Sequence, residues 1–306
     1  MKHNLKITFL LLAMFFVTQL IGLFVIHQYS PVVKQVVDEN GTITNMTSYN
    51  LPYGMDPPQD VTPQGTLISI IFAIAIAVFL MLALMKFKAE ILLRIWFFVV
   101  VTLALGITFN SLLLKFPHSS LIAIIIALPI AIFKIFKRNI LVHNISELLI
   151  YPGIASIFVP LLNIWSVVLL LILISLYDMY AVWHAGFMQK MAQYQIEKVK
   201  IFTGFFVPYL GKKEREEIKK AKLSKSKGKK IKVSLAILGG GDVVFPIILA
   251  GVVFNALGLI PALIIALGST LALAFLFYIS EKGKFYPAMP FITSGALIAL
   301  LVAYFV

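Results

Sequence analysis

The sequence predicts an all-α, polytopic integral membrane protein of about nine transmembrane helices, N-terminus inside and C-terminus outside. Three observations predict it. Of 306 residues, 60% are hydrophobic and 13% are charged, which is far more apolar surface than an ordinary globular domain carries. The apolar residues come in continuous runs of roughly 20, the length at which a helix rising 1.5 Å per residue crosses a ~30 Å hydrocarbon core. The basic residues, which give a net charge of +13, cluster at the ends of those runs on one side. Continuous rather than alternating runs exclude a transmembrane β-barrel. Basic residues placed at span edges set orientation in a bilayer and give no reason to invoke a nucleic-acid partner.

The spans fall at 7–26, 65–85, 92–113, 119–136, 145–163, 164–183, 233–255, 258–279 and 286–305. The first is longer than a signal-peptide core of ~7–15 residues and no small-x-small cleavage site follows, so it reads as an uncleaved span. Pro129 interrupts the fourth, and Pro152, Gly153 and Pro160 interrupt the fifth. Neighbouring helices can satisfy the backbone groups such breaks release. The loop at 28–64 is polar and rich in Pro, Asn and Thr. It carries two glycosylation-type triplets, at Asn40 and Asn45, and a third lies at Asn144.

With the N-terminus inside, the inner segments hold 24 of the Lys and Arg residues and the outer ones only Lys34 and Lys115. Fourteen of the 24 lie in the loop between the sixth and seventh spans. Its first part, 188–210, mixes apolar and basic residues and suits the membrane surface. Its second part, 211–230, is so charged that it should be mobile. The chain thus divides into a six-span bundle (1–183), a basic inner loop (184–232) and three closing spans (233–306).

Two aspartates stand inside the apolar runs. Asp178 lies near the end of the sixth span and Asp242 in the seventh. An ionised side chain at mid-bilayer depth costs at least ~3 kcal/mol and marks a functional site by default. Asp178 follows Tyr177. Asp242 follows Gly239-Gly240-Gly241, three residues that each weaken a helix by ~1 kcal/mol relative to Ala and remove bulk beside the carboxyl. The last span opens on Pro287-Ala288-Met289-Pro290, where two prolines three apart interrupt regular helical bonding. Glu147, at the start of the fifth span, is the nearest other acid.

These pieces resemble the intramembrane aspartyl proteases: presenilin, signal peptide peptidase and their microbial homologues. That family carries Tyr-Asp in its sixth span, Gly-x-Gly-Asp in its seventh and Pro-Ala-Leu before its ninth. Tyr177-Asp178 matches the first, Gly239-Gly240-Gly241-Asp242 the second, and Pro287-Ala288 the third, with Met289 in place of Leu. The resemblance covers the last 140 or so residues by motif and the first five spans by number and topology. It implies an aspartic-type intramembrane endopeptidase that cleaves transmembrane helical segments, with Asp178 and Asp242 sharing a proton and activating water. Tyr177, the three glycines and Pro287 to Pro290 would shape the site or bind substrate. It implies a multi-pass protein of the cell membrane whose partners are transmembrane substrates and the bilayer, with no cofactor and no metal. The sequence pattern sets no oligomeric state.

Other chemistries lack their parts. Cysteine is absent, so there is no thiol nucleophile or thiolate metal site. No His-Glu-x-x-His occurs, and the five histidines fall in loops or at span edges, which speaks against zinc and Ser–His proteolysis. A proton- or cation-coupled transporter or channel is the reading that also uses intramembrane acids and broken helices. A prepilin-type peptidase shares the Gly-x-Gly-Asp pattern but follows it with Lys, where this chain has Val243.

Overall fold

Nine α-helices and two short hairpins make up the described part of the chain. The structure is a computed structural model that describes residues 5–37, 43–55, 57, 63–137, 139–185, 194, 201, 203–209, 234–281 and 286–305. In chain order the elements are α1 (Leu5–Gln28), β1 (Val32–Val37), β2 (Ile43–Ser48), α2 (Pro63–Lys86), α3 (Glu90–Leu113), α4 (Ser119–Phe136), α5 (Ile140–Phe158) and α6 (Ile164–Tyr180). They continue with β3 (Gly204–Tyr209), β4 (Ser234–Gly239), α7 (Gly240–Leu257), α8 (Leu259–Ile279) and α9 (Met289–Ala303). Among the described residues, eight helices are long and apolar enough to cross a membrane, and α9 is a shorter apolar helix. The segment at 211–230 and the triplet at Asn40 lie outside the described residues.

Local chemistry sets the helix ends. Asn139 caps α5, its side-chain oxygen accepting from the Leu141 and Val142 amides, and Asn163 caps α6 by accepting from Ser166. Such caps satisfy amides that have no partner inside the helix. The Pro152 break in α5 is absorbed by α3. Thr108 donates to the Leu149 carbonyl at 2.7 Å, and Gly153 lies so close to Ala104 that an added Cβ would meet its carbonyl oxygen at 2.0 Å.

The outer faces of the helices are apolar and exposed, as at Phe9, Phe79, Trp96, Trp165 and Leu271. In water this would be a continuous sticky patch, whereas in lipid it is the solvated surface. Between helices the contacts rely on small residues. Gly268 and Gly295 bring α8 and α9 together so tightly that a Cβ on either would meet an alanine Cβ at 2.4 Å. Close approach of this kind is how helices gain packing energy where no hydrophobic effect separates helix from lipid.

At the centre stands α7. Val243, Ile247, Leu249, Ala250 and Val253 are wholly buried, with α1, α5, α6, α8 and α9 against them.

The seventh span corrects the sequence expectation. Instead of a helix over 233–255, the chain forms strand β4 and turns helical only at Gly240. β4 pairs antiparallel with β3, Gly204 opposite Gly239 and Tyr209 opposite Ser234. A short apolar run reads alike as strand or helix. What decides here is the partner: Phe205, Phe206 and Val207 favour a pleated surface. Ala236 and Leu238 are buried while Ile237 between them is exposed, a period of two. The expected inner loop therefore contains a strand that joins it to the closing spans. The outer loop holds a second hairpin, β1 with β2, where only irregular polar chain is expected.

Candidate active site

Asp178 sits in the last turn of α6, buried, with 8% of its surface exposed. Its carboxylate accepts a hydrogen bond from the backbone N–H of Met289 at 3.1 Å, and the Ala288 amide also acts on it. These amides belong to the first residues of α9, whose N-cap is Ala288 and which carries Pro290 in its first turn. The first amides of any helix lack internal partners and carry the positive end of its dipole. Asp178 thus caps α9 from a different helix. The contact uses backbone only, so Met289 in place of Leu changes nothing in it.

One turn away on each helix a second polar contact repeats the pairing. Ser175 donates to the Thr293 hydroxyl at 2.8 Å, both groups being buried. Together these bonds fix the register of α6 against α9. Tyr177, with 39% of its surface exposed, is near enough for Asp178 to act on it electrostatically.

Asp242 lies in the first turn of α7, three residues beyond the N-cap Gly239. Its carboxyl turns back toward the Gly239 amide, as an acid at that position does in a capping box. Asp178 is near enough to act on it electrostatically. The three glycines do different things. A Cβ on Gly239 would stand 3.1 Å from the Asp242 carboxylate, and one on Gly240 would stand 2.8 Å from the Tyr151 hydroxyl. Gly241 meets only Phe245, at ordinary contact distance. None of the three interrupts a helix, because the interruption expected at this point is the strand that precedes them.

The structure therefore brings together Asp178, Asp242, Gly239, Gly240, Ala288 and Met289, with buried Pro287 and half-buried Pro290 flanking the amides. A cavity of about 910 Å³ adjoins this cluster. Its wall is largely apolar, formed by α2, α3, α5, α6 and α7, and includes Gly240, Gly241 and Tyr151, with Lys134 and Glu147 at one end. Neither aspartate is in that wall. Among the described residues, no group of three or more His, Asp or Glu is placed to hold a metal ion.

Several residues escaped the sequence reading. Gln19, fully buried in α1, donates from Nε2 to the Val243 carbonyl at 3.2 Å, pinning the turn that carries Asp242. A lone amide in the middle of the first apolar run was its visible signal. Tyr151 packs edge-on against Phe205 and lies beside both Glu147 and Asp242. Lys134, expected as a flanking charge at the inner surface, forms a fully buried ion pair with Glu147. His143, expected in a loop, stands in the first turns of α5 and reaches β3.

Comparison with known proteins adds to this geometry. Residues 12–306 match the family model described as signal-peptide peptidase, presenilin aspartyl protease. Two solved structures are similar in fold, both of a presenilin family intramembrane aspartate protease. One, in a C222 crystal form, superposes with a TM-score of 0.60 at 20% identity, covering 97% of this chain and 98% of the other. The second, in a P2 form, gives 0.59 at 19% identity and covers 96% of each chain. Among curated protein sequences, none matches this one.

Proposed function

The chain belongs to the signal-peptide peptidase and presenilin aspartyl protease family, and from that premise we propose that Asp178 and Asp242 are its catalytic pair. The protein is a multi-pass intramembrane aspartyl protease, and its substrates are helices embedded in the bilayer. The family assignment disfavours the transporter and prepilin-peptidase readings. The observation that carries the residue assignment is the bond from the Met289 amide to Asp178. It ties the Pro-Ala segment to one aspartate, while Asp178 in turn acts on the other.

Two carboxyls brought close cannot both ionise cheaply, so the working pair holds one proton. The ionised member takes a proton from water, which attacks the scissile carbonyl. The protonated member donates to the carbonyl oxygen as it becomes tetrahedral. On collapse the carboxyl that took the water proton gives it to the leaving nitrogen, the C–N bond breaks, and the other carboxylate takes a proton from a hydroxyl of the intermediate, which returns the pair to its starting state. Acid and base are roles of the coupled pair. The Met289 amide, at the positive end of the α9 dipole, holds the Asp178 carboxyl in place.

A helical peptide bond is hidden by its own hydrogen bonds, so the substrate must unwind. An added strand is the natural form for the opened segment. At the turn from Pro287 to Pro290 the Met289 amide is held by Asp178. The edge available is that of β4, which runs directly into Gly239 and Asp242. The adjoining apolar cavity suits side chains of the entering segment.

The division of the chain follows from this reading. Residues 1–183 supply the bundle and Asp178, 233–306 supply Asp242 and the capping amides, and 184–232 contributes β3 to the hairpin between them. The charge asymmetry supports an N-terminus on the inner side, and the membrane we propose is the cell membrane.

The test is cleavage of a transmembrane peptide by purified protein. D178N and D242N should each lower the rate by at least ~10³-fold while the protein still folds. Cleavage that survives either replacement overturns the assignment. The rate should also follow a bell-shaped pH profile, because only the singly protonated pair is active. A rate that stays flat from acid to neutral pH, with chemistry limiting, would count against a shared proton.

A further inference from the structure

The two strands that lead to Asp242 have unequal edges. Phe206 of β3 accepts from the Asn144 side-chain nitrogen at 2.7 Å and donates to the Asn144 side-chain oxygen at 2.9 Å. Two residues back, the Gly204 carbonyl accepts from His143 Nε2 at 2.7 Å. Residues two apart in a strand present their backbone groups to the same edge. Gly204 and Phe206 therefore face away from β4, and the bond from the Gly240 amide to the Thr203 carbonyl fixes the same phase. Pro208, next along that edge, has no N–H to offer. The outer edge of β3 is closed by two consecutive side chains of α5.

The opposite edge differs. Ile237 pairs with Phe206, so its backbone groups face outward from β4. Among the described residues, no hydrogen bond closes that edge at Ile237, and the residue is 40% exposed.

The closure of β3 is anchored. With Nε2 donating to Gly204, the other ring nitrogen of His143 is left to accept from Lys134 Nζ, 3.3 Å away. Lys134 is held by Glu147, both buried. The His143 ring also packs on Phe206, with centroids 4.9 Å apart. A side-chain amide satisfies one strand residue completely, donor and acceptor, yet cannot propagate the sheet.

We propose that Asn144, assisted by His143, is a positioning and specificity-determining residue: it blocks β3 so that substrate backbone can pair only with β4, beside Asp242. The proposal rests on Asp178 and Asp242 being the catalytic pair. With β3 unblocked, a substrate segment would have a second edge to pair with, one strand further from Asp242. The hairpin would also lose its fastening to α5. Gly239 is both the end of β4 and the N-cap of α7, so slack in the hairpin reaches Asp242 within one turn.

The experiment compares N144L, which removes both bonds, and N144D, which keeps an acceptor for the Phe206 amide but opposes its carbonyl. Cleavage of a transmembrane peptide is followed by kinetics and by mass spectrometry of the products, with thermal unfolding giving the folded fraction. Per folded molecule, N144L should lose on the order of tenfold or more in kcat, as misplaced reacting groups do. KM should stay within about twofold, and new products should end at neighbouring bonds. N144D should fall between N144L and wild type, and it decides the matter if N144L does not fold. A kcat per folded molecule within twofold of wild type, with the single wild-type product, overturns the proposal. D242N measured alongside separates the two readings: if D242N still cleaves, the catalytic pair fails, whereas an inactive D242N with wild-type behaviour of both Asn144 variants sinks only the blocked edge.

Discussion

α2 and α7 are both apolar helices of membrane-spanning length, and they are packed in opposite ways. In its most apolar stretch α2 has 11% of residues buried, against 61% for α7. Phe72, Phe79 and Leu80 of α2 stand exposed, while almost every residue of α7 from Val243 to Val253 is covered. α2 forms one wall of the 910 Å³ cavity, and α7 presents the glycines at the cavity's other side. Hydropathy alone makes α2 the more hydrophobic of the two, so apolar content does not mark the core. What marks it is small and branched residues that let neighbours approach, as where Gly22 of α1 and Gly251 of α7 leave room for Ile247 and Ile26. The difference suits an enzyme that must hold its carboxyls still while admitting a helix from the lipid. Chemistry sits on the element fixed from all sides, and the loosely held element borders the space beside it.

Substitutions can break or sharpen that contrast. The largest effect on stability is expected where the cavity wall meets the packed interior. Glu147→Ala leaves Lys134 as an uncompensated buried charge, and such losses cost ~3–5 kcal/mol. Thermal unfolding in detergent should show a large drop, and an unchanged midpoint would mean the pair is not buried. Met289→Leu keeps volume at a packed position and leaves the amide that Asp178 accepts from, so it should cost under ~1.5 kcal/mol and retain cleavage. Loss of activity in Met289→Leu would show that the side chain acts in its own right. The smallest change belongs to the wall. Phe79→Ala on the lipid face of α2 should alter stability by no more than about ±0.5 kcal/mol. A cost like that of a core residue would show α2 to be packed in the membrane as tightly as α7.

Much of the site was legible from residue type alone. Asp178 and Asp242 are conspicuous because burying a charge in an apolar run is costly, and Pro287 to Pro290 because two prolines three apart interrupt regular helical bonding. Their purpose was only half visible. The sequence marked that turn as an interruption of regular helical bonding, and the structure uses its amides as the cap that Asp178 accepts from. The glycine run looked like a break inside a helix. It is instead the place where a strand ends and a helix begins, with Gly239 and Gly240 leaving room for the Asp242 carboxylate and the Tyr151 hydroxyl. Asn144 looked like part of a glycosylation triplet, and His143 like a loop residue, because nothing local reveals that β3, some sixty residues on, will bring its edge to them.

The sequence by itself determined the membrane class, most of the spans and the two acids, because each follows from local composition: length against bilayer thickness and the cost of an ion in hydrocarbon. The tertiary structure decided which groups meet. The capping of α9 by Asp178, the reach of Gln19 to Val243 and the closure of β3 by Asn144 all join residues far apart in the chain. Pairings of this kind are selected by packing geometry and by the need to satisfy every buried polar group, and no local pattern encodes which partner will supply the bond.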